Sequence, residues 1–411
     1  MSTPTAAASS DYARNASLED LVTLLREQRA AVHDFVAPAR RIHSVDGVLH
    51  VDDAEQDMTD SGVTSRIGRY RPTQVMDDQI AGRLDVPRAY MRRLRAQRID
   101  MYDQTVNGWL HGYDGFGDPE RVIPGDPRKF LFRTFRDEAG GEGIGRAFLS
   151  DSYKAIDNYD VLMQVLKGIN DSGIQARVRA ADLTEARMHV RLDCPAITAA
   201  APRLLDGYRN PFTNARLNSA RGGDPNDAPG ARPPQVGDIV SAGLRITNSE
   251  VGWGSFTIYP EIVVLACTNG MTRDEGKFRA VHLGGKLDEG QITWSAETQQ
   301  KALDLVMSRT KDAVKAFLSE DYLTKSVADI EGKATAELNR PAQEVVQVVG
   351  KQLSWSDREQ DGILDMFLRG GQATRGGVVN AVTAFSQTVP SADRGFELDM
   401  SALRVLDVAN I

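Results

Sequence analysis

The sequence predicts an α+β fold: mainly antiparallel β-sheet with hairpins from about residue 128 to 284, backed by a long helix, with helical N- and C-terminal regions. Three observations predict it. Gly237–Met271 carries two alternating runs, Ile239–Ile246 and Gly254–Leu265, around Asn248-Ser249-Glu250-Val251-Gly252. Apolar and β-branched residues at period two, joined by residues that tolerate tight backbone geometry, read as a hairpin. Gln175–Cys194 alternates in the same way, with Val178, Met188, Val190 and Leu192 on one side. Ser295–Leu318 instead places Ala302, Leu305, Val306, Ala313 and Phe317 on one side of a helix.

In chain order, residues 1–16 read as a disordered tail, and Ser17 opens an amphipathic helix with Leu21, Leu24, Leu25 and Val32 inward, ended by Pro38. Ile42–Asp53 is a hairpin around Asp46-Gly47, and the acidic stretch from there to about Arg66 reads as a loop. Thr73 caps a second helix, Leu84–Pro87 breaks it, and a third begins at Pro87, giving a helix-turn-helix outline. Tyr102–Phe116 reads as a packed loop or cap. Arg128–Arg136 is a strand paired with Arg146–Leu149, and Tyr159–Ile169 is a helix. Residues 218–236, rich in Pro, Gly, Asn and Asp, read as a mobile loop. After a short strand within Lys277–Gly284 and the long helix come helices at Ser326–Leu338, Pro341–Val349, Ser356–Leu368, Val378–Thr388 and Ser401–Val408. The chain thus divides into a helical region over 17–125, an α+β core over 126–320 and a helical region over 321–411.

Several short motifs carry a resemblance. Gly237-Asp238, Asn248-Ser249-Glu250-x-Gly252 and Cys267-Thr268-Asn269-Gly270-Met271 follow Leu149-Ser150-Asp151-x-Tyr153 and Asp157-Asn158-Tyr159, and precede Asn380-Ala381-Val382-Thr383. In this order they resemble a family of phage and plasmid proteins catalogued as a domain of unknown function, number nine hundred and thirty-two, over about residues 75–405. The resemblance implies a mobile-element origin and no established activity.

Composition narrows the function classes. Of 411 residues, 41% are hydrophobic and 26% charged, ordinary for a globular protein. No apolar run approaches the roughly 18 residues of a membrane span, and the N-terminus lacks a basic start followed by an apolar core. A cytoplasmic location in a bacterial host is expected. The two cysteines, Cys194 and Cys267, lack metal-ligand spacing and read as small buried hydrophobes. A net charge of −8 argues against coating DNA by bulk charge, so any polyanion site must be local.

Local basic sites are present. The third helix carries Arg88, Arg92, Arg93, Arg95 and Arg98, suited either to phosphates or to a solvated face over two packed helices. Arg128–Arg136, RKFLFRTFR, interleaves Lys129, Arg133 and Arg136 with Phe rings, as a single-strand groove does; the alternative is a strand with core Phe and edge Arg. On the Gln175–Cys194 hairpin, alternation sets Arg177, Arg179, Arg187, His189 and Arg191 on one face. Like charges side by side on a sheet are unfavourable unless an anion offsets them. That face is the strongest sequence signal for a polyanion, against the alternative of a solvated face.

Signals for catalysis are absent from the sequence. The six His show no metal-ligand spacing, Gly284-Gly285-Lys286 lacks the remainder of a P-loop, and no nucleophile elbow occurs. The pairs Asp52-Asp53 and Asp77-Asp78 read as solvated or capping, and Glu250 as a turn residue. No cofactor or metal is expected. A hairpin-rich sheet backed by a helix is similar in outline to single-strand annealing proteins. The functional expectation is a homo-oligomeric, single-stranded-DNA-binding annealing or recombination factor, with no membrane contact. Two alternatives remain open: a host-modulating protein-interaction factor of a mobile element, and a DNA-processing enzyme.

Overall fold

In the protein, a computed structural model, residues 12–59, 62–114, 120, 122–136, 141–153, 155–212, 239–264, 270–274, 276–280 and 296–408 are described. The chain starts with β1 (Ala13–Ala16), which lies inside the stretch expected to be a tail, and α1 (Leu18–Ala31). Ser17 caps α1 by accepting from the Asp20 amide. The helix ends at Ala31, well before Pro38, which falls in β2 (Phe35–Pro38). β3 (Ile42–Val45) and β4 (Val48–Thr59) form the expected hairpin, with Asp46 and Gly47 both at positive φ. β4 then continues and pairs with β5 (Gly62–Pro72), where the sequence reads as loop. Ladder bonds are main-chain bonds, and a polar stretch supplies them as well as an apolar one.

Thr73 caps α2 (Gln74–Arg83), accepting from the Met76 amide. Pro87 stands just before α3 (Arg88–Gln97). Next comes α4 (Ile99–His111), a helix where a loop is expected; Tyr102, Val106 and Leu110, at four-residue spacing, are its buried stripe. A two-stranded unit, β6 (Gly112–Tyr113) with β7 (Ile123–Pro124), leads to β8 (Lys129–Phe135) and β9 (Gly143–Ser150). Six strands make one sheet in the order β2-β8-β9-β5-β4-β3. Its core joins Leu49, Tyr70, Phe130, Phe132 and Phe148 to Met76, Ile80, Met91, Leu94 and Tyr102 of the three helices.

The second sheet begins after α5 (Asn158–Asp171). β10 (Arg177–Leu183), β11 (Met188–Ala200), β12 (Ile239–Asn248) and β13 (Phe256–Val264) follow one another antiparallel. β14 (Gly270–Thr272) and β15 (Phe278–Ala280) pair with β13, and β1 pairs with β10. Six helices complete the chain: α6 (Ala296–Phe317), α7 (Glu320–Ala334), α8 (Ala342–Leu353), α9 (Asp357–Gly370), α10 (Arg375–Ser386) and α11 (Ala392–Ala402). A full capping box, Ser356 with Glu359, starts α9. The last helix lies earlier than Ser401–Val408, and most of that stretch is a 3₁₀ turn over Leu403–Asp407.

Met188, Val190, Leu192, Leu244, Ile246, Phe256 and Ile258 build a core with Leu21 and Leu25 of α1, Leu162 and Val165 of α5, and residues of α6 to α10. The cores therefore divide the chain differently from the sequence boundaries: β8 and β9 belong with the first sheet, and α1 with the second. Cys194 is buried in that second core, as its composition predicts. Cys267 and the expected loop 218–236 lie outside the described residues. Among those residues, no helix is long and apolar enough to cross a membrane.

Candidate nucleic-acid interface

The registers Arg191↔Arg245, Arg245↔Tyr259, Gly243↔Glu261 and Asp193↔Gly243 set these side chains on the face of the second sheet opposite its apolar core. A bulge between Val178 and Ala180 breaks the alternation of β10 and brings Asp182 opposite His189, onto the arginine side. The predicted one-sign face is therefore a charge-balanced one. Arg177 lies across Asp193 at 2.7 and 2.8 Å, Arg179 meets Glu261 at 2.5 Å, and Arg191 reaches Asp182 at 3.4 Å. Arg245 joins Glu261 at 3.0 Å to Asp399 of α11 at 2.5 Å.

α11 covers this face. Its Asp393 accepts from His189 at 2.9 Å and from Thr184 at 2.8 Å, and its Phe396 ring lies 4.9 Å from His189 and 5.4 Å from the Arg245 guanidinium. Burial would push the Glu261 carboxyl up, but Arg245, Arg179 and Arg191 hold it below its ordinary value. Burial pushes His189 down despite Asp393. Arg177, with 62% of its side chain exposed, and Arg187 aside, the predicted cluster of Arg179, His189 and Arg191 is covered.

The third helix shows the same correction on a smaller scale. Asp77 and Asp78 are buried, not solvated, because α3 packs its arginines over them. Arg92 reaches Asp78 at 2.5 and 2.8 Å, and Arg95 reaches Asp77 at 2.8 Å. Tyr102 donates to Asp77 at 2.7 Å. Burial raises the Asp77 carboxyl to about 6, against the pull of Arg95 and Tyr102. Arg93 bonds to Gln97 and stays exposed, as do Lys129 and Arg136 at opposite ends of β8. Arg133 is buried because the face of β8 opposite Phe130 and Phe132 is itself covered, by Asp34, Asp157 and the Glu250 main chain. It donates to Asp34 and Asp157 at 2.8 Å and to the Glu250 carbonyl at 3.0 Å.

Arg133 belongs to the junction between the two sheets, where three of the resemblance motifs meet: Leu149–Tyr153, Asp157–Tyr159 and Asn248–Gly252. Glu250 accepts from the Asn158 amide at 2.6 Å and from Arg146 at 2.5 Å. Burial would raise its carboxyl, but Arg146 and Arg133 hold it low. Asn248 donates to the Ile156 carbonyl and to Asn158 at 2.8 and 2.9 Å. Gln79 of α2 donates to the Val251 carbonyl at 2.5 Å. Gly252 sits at φ +78°, the left-handed region that favours glycine. Glu250 is thus an ion-paired strut between the sheets, more than a turn residue. Among the described residues, no group of His, Cys, Asp or Glu could hold a metal ion.

This junction holds up the tip of the β12–β13 hairpin. Ser249 accepts from the Trp253 amide at 2.9 Å, and the half-buried indole packs with Leu149, Val251 and Ala186. The Arg88 guanidinium lies 5.7 Å from the Trp253 ring centroid. Arg187 donates to the Trp253 carbonyl at 3.0 and 2.7 Å, with Asp393 at 3.5 Å. Arg279, exposed on β15, donates to Ser255 at 2.8 Å. Neither Arg88 nor Arg279 has a carboxylate partner among the described residues. Of the predicted basic residues, then, the fold gathers Arg88 and Arg187 at one tip and leaves Lys129, Arg93 and Arg136 apart from each other.

Trp253 and Arg279 are absent from the sequence prediction. Gly252-Trp253-Gly254 does carry a signal: a large aromatic between two glycines at a turn is out of place as core. No family model, no curated protein and no solved structure matches the chain.

Proposed function

We propose that this protein binds single-stranded DNA, and that it does so at the β12–β13 tip in place of the arginine face of its sheet. The observation that carries the reading is Trp253 with Arg88 over its ring and Arg187 and Arg279 beside it. An aromatic face flanked by guanidiniums stacks a base and neutralises the adjoining phosphates without reading sequence. Among the described residues neither Arg88 nor Arg279 has a carboxylate partner, so a phosphate there would displace no counter-ion from these residues. Strand positioning for annealing or recombination follows as the role, with strands held for pairing by repeated copies of this tip.

The test is fluorescence anisotropy of a labelled single-stranded oligonucleotide at low and high salt, for the native chain and for the Arg88→Gln/Arg279→Gln double variant. Binding that weakens with salt, and that the double variant weakens further, supports the reading. A native chain without uptake at low salt sinks it.

A protein-interaction role is favoured by a different observation. Trp109, Tyr113, Val122 and Ile123 are all exposed, and Tyr113 lies opposite Ile123 across the β6–β7 pair. A sedimentation measurement of the chain without DNA checks whether this patch joins copies of the protein.

A further inference from the structure

A separate cavity lies in the first sheet. β2 and β4 approach within 8 Å, Cα to Cα, without pairing, and between them opens a cleft of about 420 Å³. That volume falls in the range of small-ligand sites, about 300–1,000 Å³. An inserted strand would need roughly twice the 4.8 Å strand spacing, so the gap suits a small molecule better than a peptide.

The lining is specific. His33 donates to Thr134 of β8 at 2.9 Å and Ala39 to Arg128 just before it at 3.1 Å, so by alternation the Val36 amide and carbonyl turn the other way, toward the cleft. They offer a donor and an acceptor side by side on an open edge. Phe35, stacked on Phe132 at 5.1 Å and 8°, adds an aromatic wall. Two arginines line the cleft at opposite ends of β2: Arg136, across from its start and without a carboxylate partner among the described residues, and Arg41, past its end and paired with Asp53 at 2.9 Å beside Asp52. Asp53 itself is held at φ +58° where β4 changes register.

We propose that this cleft binds a nucleoside monophosphate. Its phosphate would sit on Arg136, the arginine without a carboxylate partner among the described residues, and the polar edge of its base on the Val36 amide and carbonyl. A carboxylate ligand or inorganic phosphate would use Arg136 alone and leave the strand edge unfilled. The proposal is independent of the Trp253 tip.

Isothermal titration of the full chain with dAMP, dGMP, dCMP, TMP and inorganic phosphate tests it. At least one nucleotide is expected to bind about tenfold or more tightly than phosphate, and Arg136→Ala to weaken that nucleotide by about tenfold, the loss of one charge-assisted contact. Arg136 is exposed, so the variant should keep the native melting temperature; Phe35→Leu, which trims the aromatic wall, is the second variant and should also weaken binding. The proposal is overturned if no nucleotide binds at millimolar concentration, if phosphate binds as tightly as the nucleotides, or if Arg136→Ala binds as the native chain does.

Discussion

Two arginine-rich regions of this molecule lie on one sheet and differ in what surrounds them. On the strands, Arg179, Arg191 and Arg245 meet Glu261, Asp182 and Asp399 under α11. At the β12–β13 tip, Arg88 and Arg279 meet an indole and a hydroxyl, with solvent beyond. The first set has been taken out of water together with its counter-ions, and a buried charge survives only when paired. The second stays exposed. The difference teaches that arginine density predicts an anion site only after the carboxylates within reach are counted.

The largest way to break the comparison is Glu261→Gln. It leaves Arg245 and Arg179 short of a buried counter-charge and should destabilise the fold by about 3–5 kcal/mol, read by urea denaturation. A variant as stable as the native chain would mean the face is open to water after all. Substituting Arg177, Arg179, Arg187 and Arg191 together belongs to the same class. It strips charge partners from Asp193, Glu261, Asp393 and Asp182, so its first effect is on folding, and lost DNA binding in that variant says nothing about contact.

At the tip the effect should be on affinity. Trp253→Ala should cost about 1–3 kcal/mol of single-strand binding, measured by anisotropy on the folded fraction. Quenching of Trp253 fluorescence on DNA addition, lost in Trp253→Phe, checks the stacking itself.

The helix α3 extends the comparison to pH. The Asp77 carboxyl is raised to about 6, above its unfolded value. Between roughly pH 4 and 6 the folded chain keeps a proton that the unfolded chain releases, so this group withdraws stability as pH rises through that window, on the order of 3 kcal/mol in all. Asp77→Asn should flatten unfolding free energy between pH 4 and 7. Glu250 and Glu261, held low, act in the opposite sense: their contribution is present above their unfolded value and lost as pH falls through their folded values.

The smallest expected effect sharpens the contrast most. Arg88→Gln should leave stability within about 0.5 kcal/mol and reduce the salt dependence of DNA binding by about 0.7, the slope of one phosphate contact on a single strand. A lowered melting temperature with an unchanged slope would place Arg88 with the structural arginines.

Much of this fold is legible in the chain because period and punctuation are local. The β12–β13 hairpin, the β10–β11 hairpin, the Ser17, Thr73 and Ser356 caps and the β3–β4 turn all follow from residues within a few positions of one another. β5 and the far half of β4 are not legible, since main-chain pairing leaves no apolar pattern in a polar stretch. α4 is misread because the Asn107-Gly108 dipeptide looks like a turn, while its buried stripe, Tyr102, Val106 and Leu110, is held by α3 and β3.

The candidate site divides in the same way. The sequence by itself determines the α+β class, the alternating faces and where the arginines lie along each strand, because backbone geometry converts spacing into side. Only the tertiary structure decides which arginines remain available. Asp393 and Asp399 are about 200 and 150 positions from the residues they neutralise, and Arg88 is 165 positions from Trp253. Electrostatic pairing acts through space over a few ångströms, and no local pattern records which distant carboxylate the fold will bring to that distance.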